Sequence, residues 1–288
     1  MKSSKYYVND ITLHVMEAGM TGNPVILFLH GFPEFWYGWI HQIEFFKEKG
    51  YHVVVPDLRG YNLSDKPPHT RDYLLNTITK DIAELILLLQ QKKVFLAGHD
   101  WGGIVAWNLA EKYPRLVEKM INLNAPHPLA MQKVVRRNIT QLFHSWYAFF
   151  FQLPFLPEWL LHYNHFRILS TLMHPGNGKG LRNKSELKEY HKAWEKPSAI
   201  HSMLQWYRAG MADYVYVREI ECPVLILWGK KDVTLVPEIA EENAKLCHYA
   251  EVKYFDNCTH WIHHESPERV NKEIEAFISA TPSTHSLA

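Results

Sequence analysis

Six residues, Gly98-His99-Asp100-Trp101-Gly102-Gly103, carry the densest chemistry in this chain. They stand between an apolar run at 94–97 and a helix-like run at 104–113. Glycines two positions before and after a central residue mark a nucleophile elbow. Such an elbow is a sharp strand-to-helix turn that lifts one side chain clear of a sheet. The usual occupant is serine; here it is Asp100. A serine hydroxyl needs a base before it can attack, whereas a carboxylate with a reference pKa of ~3.9 is already ionised at neutral pH. It attacks an sp³ carbon directly and leaves an alkyl ester on the enzyme. Its targets are therefore carbons that bear a leaving group, such as an epoxide oxygen or a halide.

That ester must then be hydrolysed, which calls for an acid and a histidine later in the chain. Asp232 follows the apolar run 223–228 in Trp228-Gly229-Lys230-Lys231-Asp232, and His260 follows the run 252–255 in Cys258-Thr259-His260-Trp261. His260 would take a proton from water, and Asp232 would hold its tautomer and stabilise the imidazolium. The tetrahedral intermediate needs hydrogen-bond donors. The backbone N–H of Trp101 is one, and the N–H of Phe32, in His30-Gly31-Phe32-Pro33 after the run 25–29, is the other.

The elements that must hold these residues alternate. Residues 6–8 and 13–17 flank the turn pair Asn9-Asp10 and read as a hairpin. Continuous apolar runs at 25–29, 52–55, 94–97, 117–123 and 223–228 read as buried strands, with a short last strand at 252–255. Residues 76–91 place Ile78, Ile82, Leu85, Ile86 and Leu89 on one helical side, and 267–279 reads as a closing helix. Strands alternating with helices predict an α/β fold with a mostly parallel sheet flanked by helices on both faces. Between 127 and 215 the alternation stops. That stretch reads as a helical cap inserted at the sheet's carboxyl edge, where open α/β sheets bind ligands, over a core of 1–126 and 216–288. The small, polar tail 281–288 is expected to fray.

Composition excludes several classes. A net charge of +1 over 288 residues, without a dense Lys/Arg run, argues against nucleic-acid binding. Three cysteines, Cys222, Cys247 and Cys258, lack metal or redox spacing and suit a reducing, cytoplasmic compartment; residues 1–10 are polar and unlike a signal segment. The aromatic stretch 142–161 is interrupted by Pro154 and Pro157 and carries His144, Gln152 and Glu158, so no membrane span is expected. His260, His263 and His264 have a spacing that suits metal ligands, but no cysteine or carboxylate pattern completes a site and no HExxH occurs. No metal or other cofactor is expected.

The motifs together resemble the α/β-hydrolase fold family, in particular its epoxide hydrolase branch. They are His30-Gly31-Phe32-Pro33-Glu34, Asp57-Leu58-Arg59-Gly60-Tyr61, Gly98-His99-Asp100-Trp101-Gly102 and Trp228-Gly229 with Asp232. Thr259-His260-Trp261, ahead of Glu265-Ser266-Pro267-Glu268-Arg269-Val270-Asn271, completes the set. The resemblance implies a cis Phe32–Pro33 peptide and two cap tyrosines that protonate the epoxide oxygen. Tyr147, in Tyr147-Ala148-Phe149-Phe150-Phe151-Gln152, and Tyr207, in Gln205-Trp206-Tyr207-Arg208, lie in segments similar to the family's tyrosine motifs. Gln205 departs from the asparagine more common there. The implied reaction turns a lipophilic or aryl epoxide and water into a vicinal diol, with catalytic triad Asp100, His260 and Asp232. Trp36 and Phe151 are expected to line its apolar pocket.

Other readings stay beside this one. Asp100 also fits a helix cap, Asp232 a loop cap, the tyrosines ordinary cap core, and Glu34 and Asp57 positioning or capping roles. A haloalkane-type dehalogenase would use the same nucleophile. Haloalkane dehalogenases usually carry Asn at the Phe32 position, and fluoroacetate dehalogenases Arg at the Trp101 position. A non-catalytic ligand-sensing module and an esterase are further alternatives. Oligomeric state, natural substrate and stereochemistry are not encoded legibly.

Overall fold

The structure is a computed structural model that describes residues 1–173 and 184–280. The tail expected to fray, and part of the 127–215 region, lie outside the described residues. Among the described residues eight strands form one sheet: β1 (Lys2–Val8), β2 (Ile11–Ala18), β3 (Val25–Leu29), β4 (His52–Pro56), β5 (Val94–His99), β6 (Val117–Leu123), β7 (Val224–Gly229) and β8 (Ala250–Phe255). Their spatial order is β1-β2-β4-β3-β5-β6-β7-β8. β1 and β2 pair antiparallel across Asn9-Asp10, both at positive φ, and β2 pairs antiparallel with β4. Every later pairing is parallel.

Helices cover both faces. α1 (Ile40–Glu48) precedes β4, α2 (Leu75–Leu88) precedes β5, and α3 (Trp101–Lys112) leads to β6. Between β6 and β7 the described residues form α4 (Pro128–Val135), α5 (Ile139–His144), α6 (Trp146–Phe150), α7 (Leu156–Leu172), α8 (Lys184–Trp194) and α9 (Ala199–Ala209). α10 (Glu238–Ala244), α11 (Ile262–Glu265) and α12 (Pro267–Ser279) follow among the described residues. The period-two alternation of the central strands explains why two layers are needed. In β3, Ile26 and Phe28 face one layer with Trp39, Ile43 and Phe46 near α1 and with Val270 and Ile274 of α12. Val25, Leu27 and Leu29 face the other, with Ile78 and Ile82 of α2 and the length of α3. Every residue of β3, β4 and β7 is buried, as strands covered on both faces must be.

α2 ends at Leu88, where the turn through Gln90 at φ 57 breaks the helix before the expected position 91. The aromatic stretch 142–161 is broken into α5, α6 and the start of α7, and among the described residues no helix is long and apolar enough to cross a membrane.

Candidate active site

The carboxyl ends of β3, β5, β6, β7 and β8 lie side by side, and each contributes to one cluster. Asp100 occupies the turn from β5 into α3 with φ 50 and ψ −124, a conformation that costs a non-glycine residue ~1–3 kcal/mol. Its neighbours allow the sharp turn. A Cβ on Gly98 would meet the carbonyl of Gly102, and a Cβ on Gly102 would meet the carbonyl of Leu29 in β3. The helix therefore starts against the sheet, and the Asp100 side chain stands above it.

Phe32, in the loop after β3, donates its backbone N–H to Asp100 Oδ1 at 2.9 Å. The Phe32–Pro33 peptide is cis, as the resemblance implied. The other carboxylate oxygen, Oδ2, lies 3.6 Å from His260 Nε2, an ion-pair distance longer than a hydrogen bond. His260 Nδ1 lies 2.7 Å from Asp232 Oδ2. Asp232 is held in turn. Its Oδ1 accepts from the N–H and hydroxyl of Thr234 and the N–H of Leu235, and its Oδ2 accepts from Asn124 Nδ2 at 2.8 Å.

Electrostatics follow from this packing. Burial pushes the Asp232 carboxyl up, but His260 and the Thr234 donors outweigh it and hold the group below the ordinary carboxylate value. Burial pushes the His260 imidazole down, but the Asp232 and Asp100 carboxylates reverse this and raise it. Tyr147 and Tyr207 are both raised, first by burial and next by the charge of Asp100.

The two tyrosines come from α6 and α9, 60 residues apart in sequence, yet their rings lie 5.9 Å apart, nearly perpendicular. Tyr207 meets the rings of Phe32, Trp101 and Phe151 at 5.2, 5.3 and 4.9 Å. Arg208, the next residue, clamps α9 to the chain around α6 and α7. It donates to the carbonyls of Phe151 and Leu153 and forms a two-pronged ion pair with Glu158. Gln205, the departure in this segment, accepts from the Thr70 hydroxyl and donates to His201. Asp100, His260, Tyr147, Tyr207, Phe32 and Phe151 all border one cavity of about 420 Å³, with apolar walls completed by Leu161, Ile168 and Trp261 among others.

Trp36 is a correction. It does not border this cavity: its ring packs edge-on against Phe35 and Tyr37, and its backbone N–H binds Asp57 Oδ1. Asp57 itself is buried and is also bound by His14 of β2 and by Asn62. The carboxylate missing from the histidine pattern is Glu34. One of its oxygens and one ring nitrogen each of His263 and His264 lie within 4.8 Å of one another, while His260 stands apart against Asp232. Hydrogen bonds account for the cluster: His264 at 2.6 Å and Tyr190 at 2.9 Å share one oxygen, and His263 at 3.1 Å and His99 at 3.2 Å share the other. His99 also reaches the carbonyl of His260 at 3.0 Å.

Asn124 was not legible as a site residue. At the end of β6, with φ 39, it accepts the Gly229 N–H on Oδ1 while donating to Asp232. In sequence it is one asparagine before Ala125-Pro126, a signal for a turn only.

Known proteins resemble this chain along most of its length. A family model for the alpha/beta hydrolase fold matches residues 24–267. The chain is 39% identical over 274 residues to the AB hydrolase superfamily protein YfhM of Bacillus subtilis (strain 168), covering 94% of this chain and 95% of that one. It is 35% identical over 277 residues to Epoxide hydrolase 4 of Mus musculus, covering 94% and 77%. Among solved structures, a mutant epoxide hydrolase from Bacillus megaterium, complexed with its product, a naphthyloxy-propane-1,2-diol, superposes with a TM-score of 0.89 at 31% identity. That match covers 96% of this chain and all of the other.

Proposed function

The chain belongs to the α/β-hydrolase fold family, in its epoxide hydrolase branch, and from that membership we propose that it hydrolyses lipophilic or aryl epoxides to vicinal diols through an ester on Asp100. The observation that carries the proposal is the convergence of Asp100, His260 and two cap tyrosines on one apolar cavity. Residues 127–215 act as a helical cap over the core 1–126 and 216–288. The cap contributes both tyrosines, and the core contributes the triad.

In the first step Asp100 Oδ2 attacks an epoxide carbon. The ring C–O bond breaks, and the oxygen takes a proton from Tyr147 or Tyr207. Alkoxide is a poor leaving group unless protonated, so the phenols are needed. Their raised pKa values keep them protonated at neutral pH. Part of that elevation comes from the Asp100 charge, which disappears as the ester forms. The phenols thus become better acids as negative charge reaches the epoxide oxygen.

In the second step water attacks the Asp100 carboxyl carbon and gives its proton to His260. Esterification has removed one of the two carboxylate charges that raise the His260 pKa, which frees the ring to act as a base. The Phe32 N–H, already on Oδ1, and the Trp101 N–H stabilise the oxyanion; one such donor is worth ~3–4 kcal/mol. Collapse releases the diol and restores the carboxylate, and the His260 proton returns to the tyrosinate.

The substrate class rests on the cavity's size and apolar walls. The Bacillus megaterium enzyme's naphthyloxy product supports it by similarity. Cys222, Cys247 and Cys258 form no disulfide, which suits a cytoplasmic setting. The test is diol formation from styrene oxide, run beside halide release from 1-bromobutane. Diol without halide is expected; halide without diol would make the tyrosines cap core and the protein a dehalogenase.

A further inference from the structure

The chain from α5 to the start of α7 turns large aromatic side chains to water. Phe143, Trp146, Phe149, Phe155 and Trp159 are 69, 64, 66, 84 and 62% exposed. Single exposed apolar residues are ordinary, but a run of this density marks a surface that meets another phase or partner. Phe155 is held out at φ 62, so its exposure adds to a strained backbone. Burial of the patch would offset both costs.

Three observations identify what covers it. Its residue types are Trp and Phe, with Tyr163 beside them, the side chains favoured where water meets lipid. The segment that carries it is cationic. Residues 128–173 hold Lys133, Arg136, Arg137 and Arg167 against a single acid, Glu158, which Arg208 neutralises. Glu242 of α10, which lies in a groove beside Lys133 and Arg137 with Glu238, is itself paired with Lys245. Finally, Phe143 and Trp146 line the cavity as well as the patch, so the mouth of the site opens within it. A second copy of the chain seated there would obstruct that mouth, whereas a bilayer is a reservoir of lipophilic substrate. This last argument rests on the proposed function; the other two do not.

We infer that the cap docks on the surface of an anionic lipid bilayer through α5, α6 and the start of α7, with these aromatic rings at the headgroup–acyl boundary. The docking is peripheral, since no described helix is long and apolar enough to cross.

The experiment sediments the full chain with vesicles of phosphatidylglycerol and phosphatidylcholine, and with phosphatidylcholine alone. Binding to the anionic vesicles, with a blue shift of tryptophan emission and much weaker binding to the neutral ones, is expected. The triple variant Phe149→Ser, Phe155→Ser, Trp159→Ser should bind at least about a hundredfold more weakly. None of the three borders the cavity, so its diol formation in solution should be unchanged. Arg136→Gln with Arg137→Gln should weaken binding about thirtyfold. If the triple variant does not fold, Phe155→Ser alone, at the most exposed position, carries the test. Failure to sediment with either vesicle, or binding indifferent to these substitutions, overturns the inference. So does a dimer in light scattering that the triple variant converts to a monomer while vesicles bind neither form. Because sedimentation does not read turnover, a chain inactive on epoxides leaves this result intact.

Discussion

Asp100 and His260 divide the proposed reaction, and single substitutions separate their steps. Asp100→Ala removes the only atom that bonds to substrate carbon, so diol formation should fall to background. His260→Gln keeps the nucleophile but removes the base for hydrolysis. Intact-protein mass spectrometry should then show the chain heavier by one substrate molecule, and absence of that adduct would falsify the ester route. In the proposed reaction the tyrosines act on ring opening alone. Loss of both as Tyr147→Phe, Tyr207→Phe should slow single-turnover ester formation ~10²–10⁴-fold, and either single change much less, because the partner ring lies 5.9 Å away. Both phenols are raised by burial and then by Asp100. The acid form therefore survives beyond the ~10 of a free phenol, and the alkaline decline of ring opening should begin above that value. A decline centred near neutrality would show that another group supplies the proton.

At the scale of elements, the proposed triad is held by strand ends tied to one another. Asn124 at the end of β6 bridges the Gly229 N–H of β7 and the Asp232 carboxylate. Asn124→Ala should leave a buried N–H unpaired, lowering stability by ~1–3 kcal/mol. It should also lower kcat through a misplaced His260, and Asn124→Asp should not restore activity, since it cannot donate to Asp232. A denaturant midpoint and a rate measurement read the two effects apart. This is also where the sequence stopped being informative. The elbow, Asp232 and His260 were legible because their signals are local: two glycines around one residue, and polar residues just past apolar runs. The parallel strands were legible for the same reason. Asn124 and the Glu158–Arg208 clamp act only through partners brought close by the fold, and nothing in their immediate neighbours announces that. Trp36 was misread because it follows the His30–Glu34 segment closely. The short 3₁₀ turn at Trp36–Trp39 instead directs its ring against Phe35 and Tyr37, away from the cavity.

Across the whole molecule, two buried histidines pull stability in opposite directions with pH. His263 is fully buried against the Trp39 ring and beside His99, His264 and Glu34. Burial, then the neighbouring histidines, hold its pKa well below the ordinary value despite Glu34. Below pH ~6.5 the unfolded chain therefore binds a proton that the native chain refuses, and stability is lost as pH falls. His260 behaves conversely. Burial lowers it, but Asp232 and Asp100 raise it to about 10. Its contribution is fully present below ~6.5, the unfolded value, and is lost as pH rises towards the folded one. Each group accounts for a slope of up to ~1.4 kcal/mol per pH unit within its window. Denaturant midpoints followed from acid to alkaline pH should thus peak near neutrality and fall on both sides. His263→Gln should make the acid limb shallower above the range where Glu34 and Asp232 begin to protonate, with His30, also buried and lowered, keeping the rest, and leave the alkaline limb in place. His260→Gln should flatten the alkaline limb and change the acid side only in the carboxylate range, where Asp232 loses its partner. If the two variants changed the same limb above the carboxylate range, the opposed burial of these histidines would not be the source of the curve.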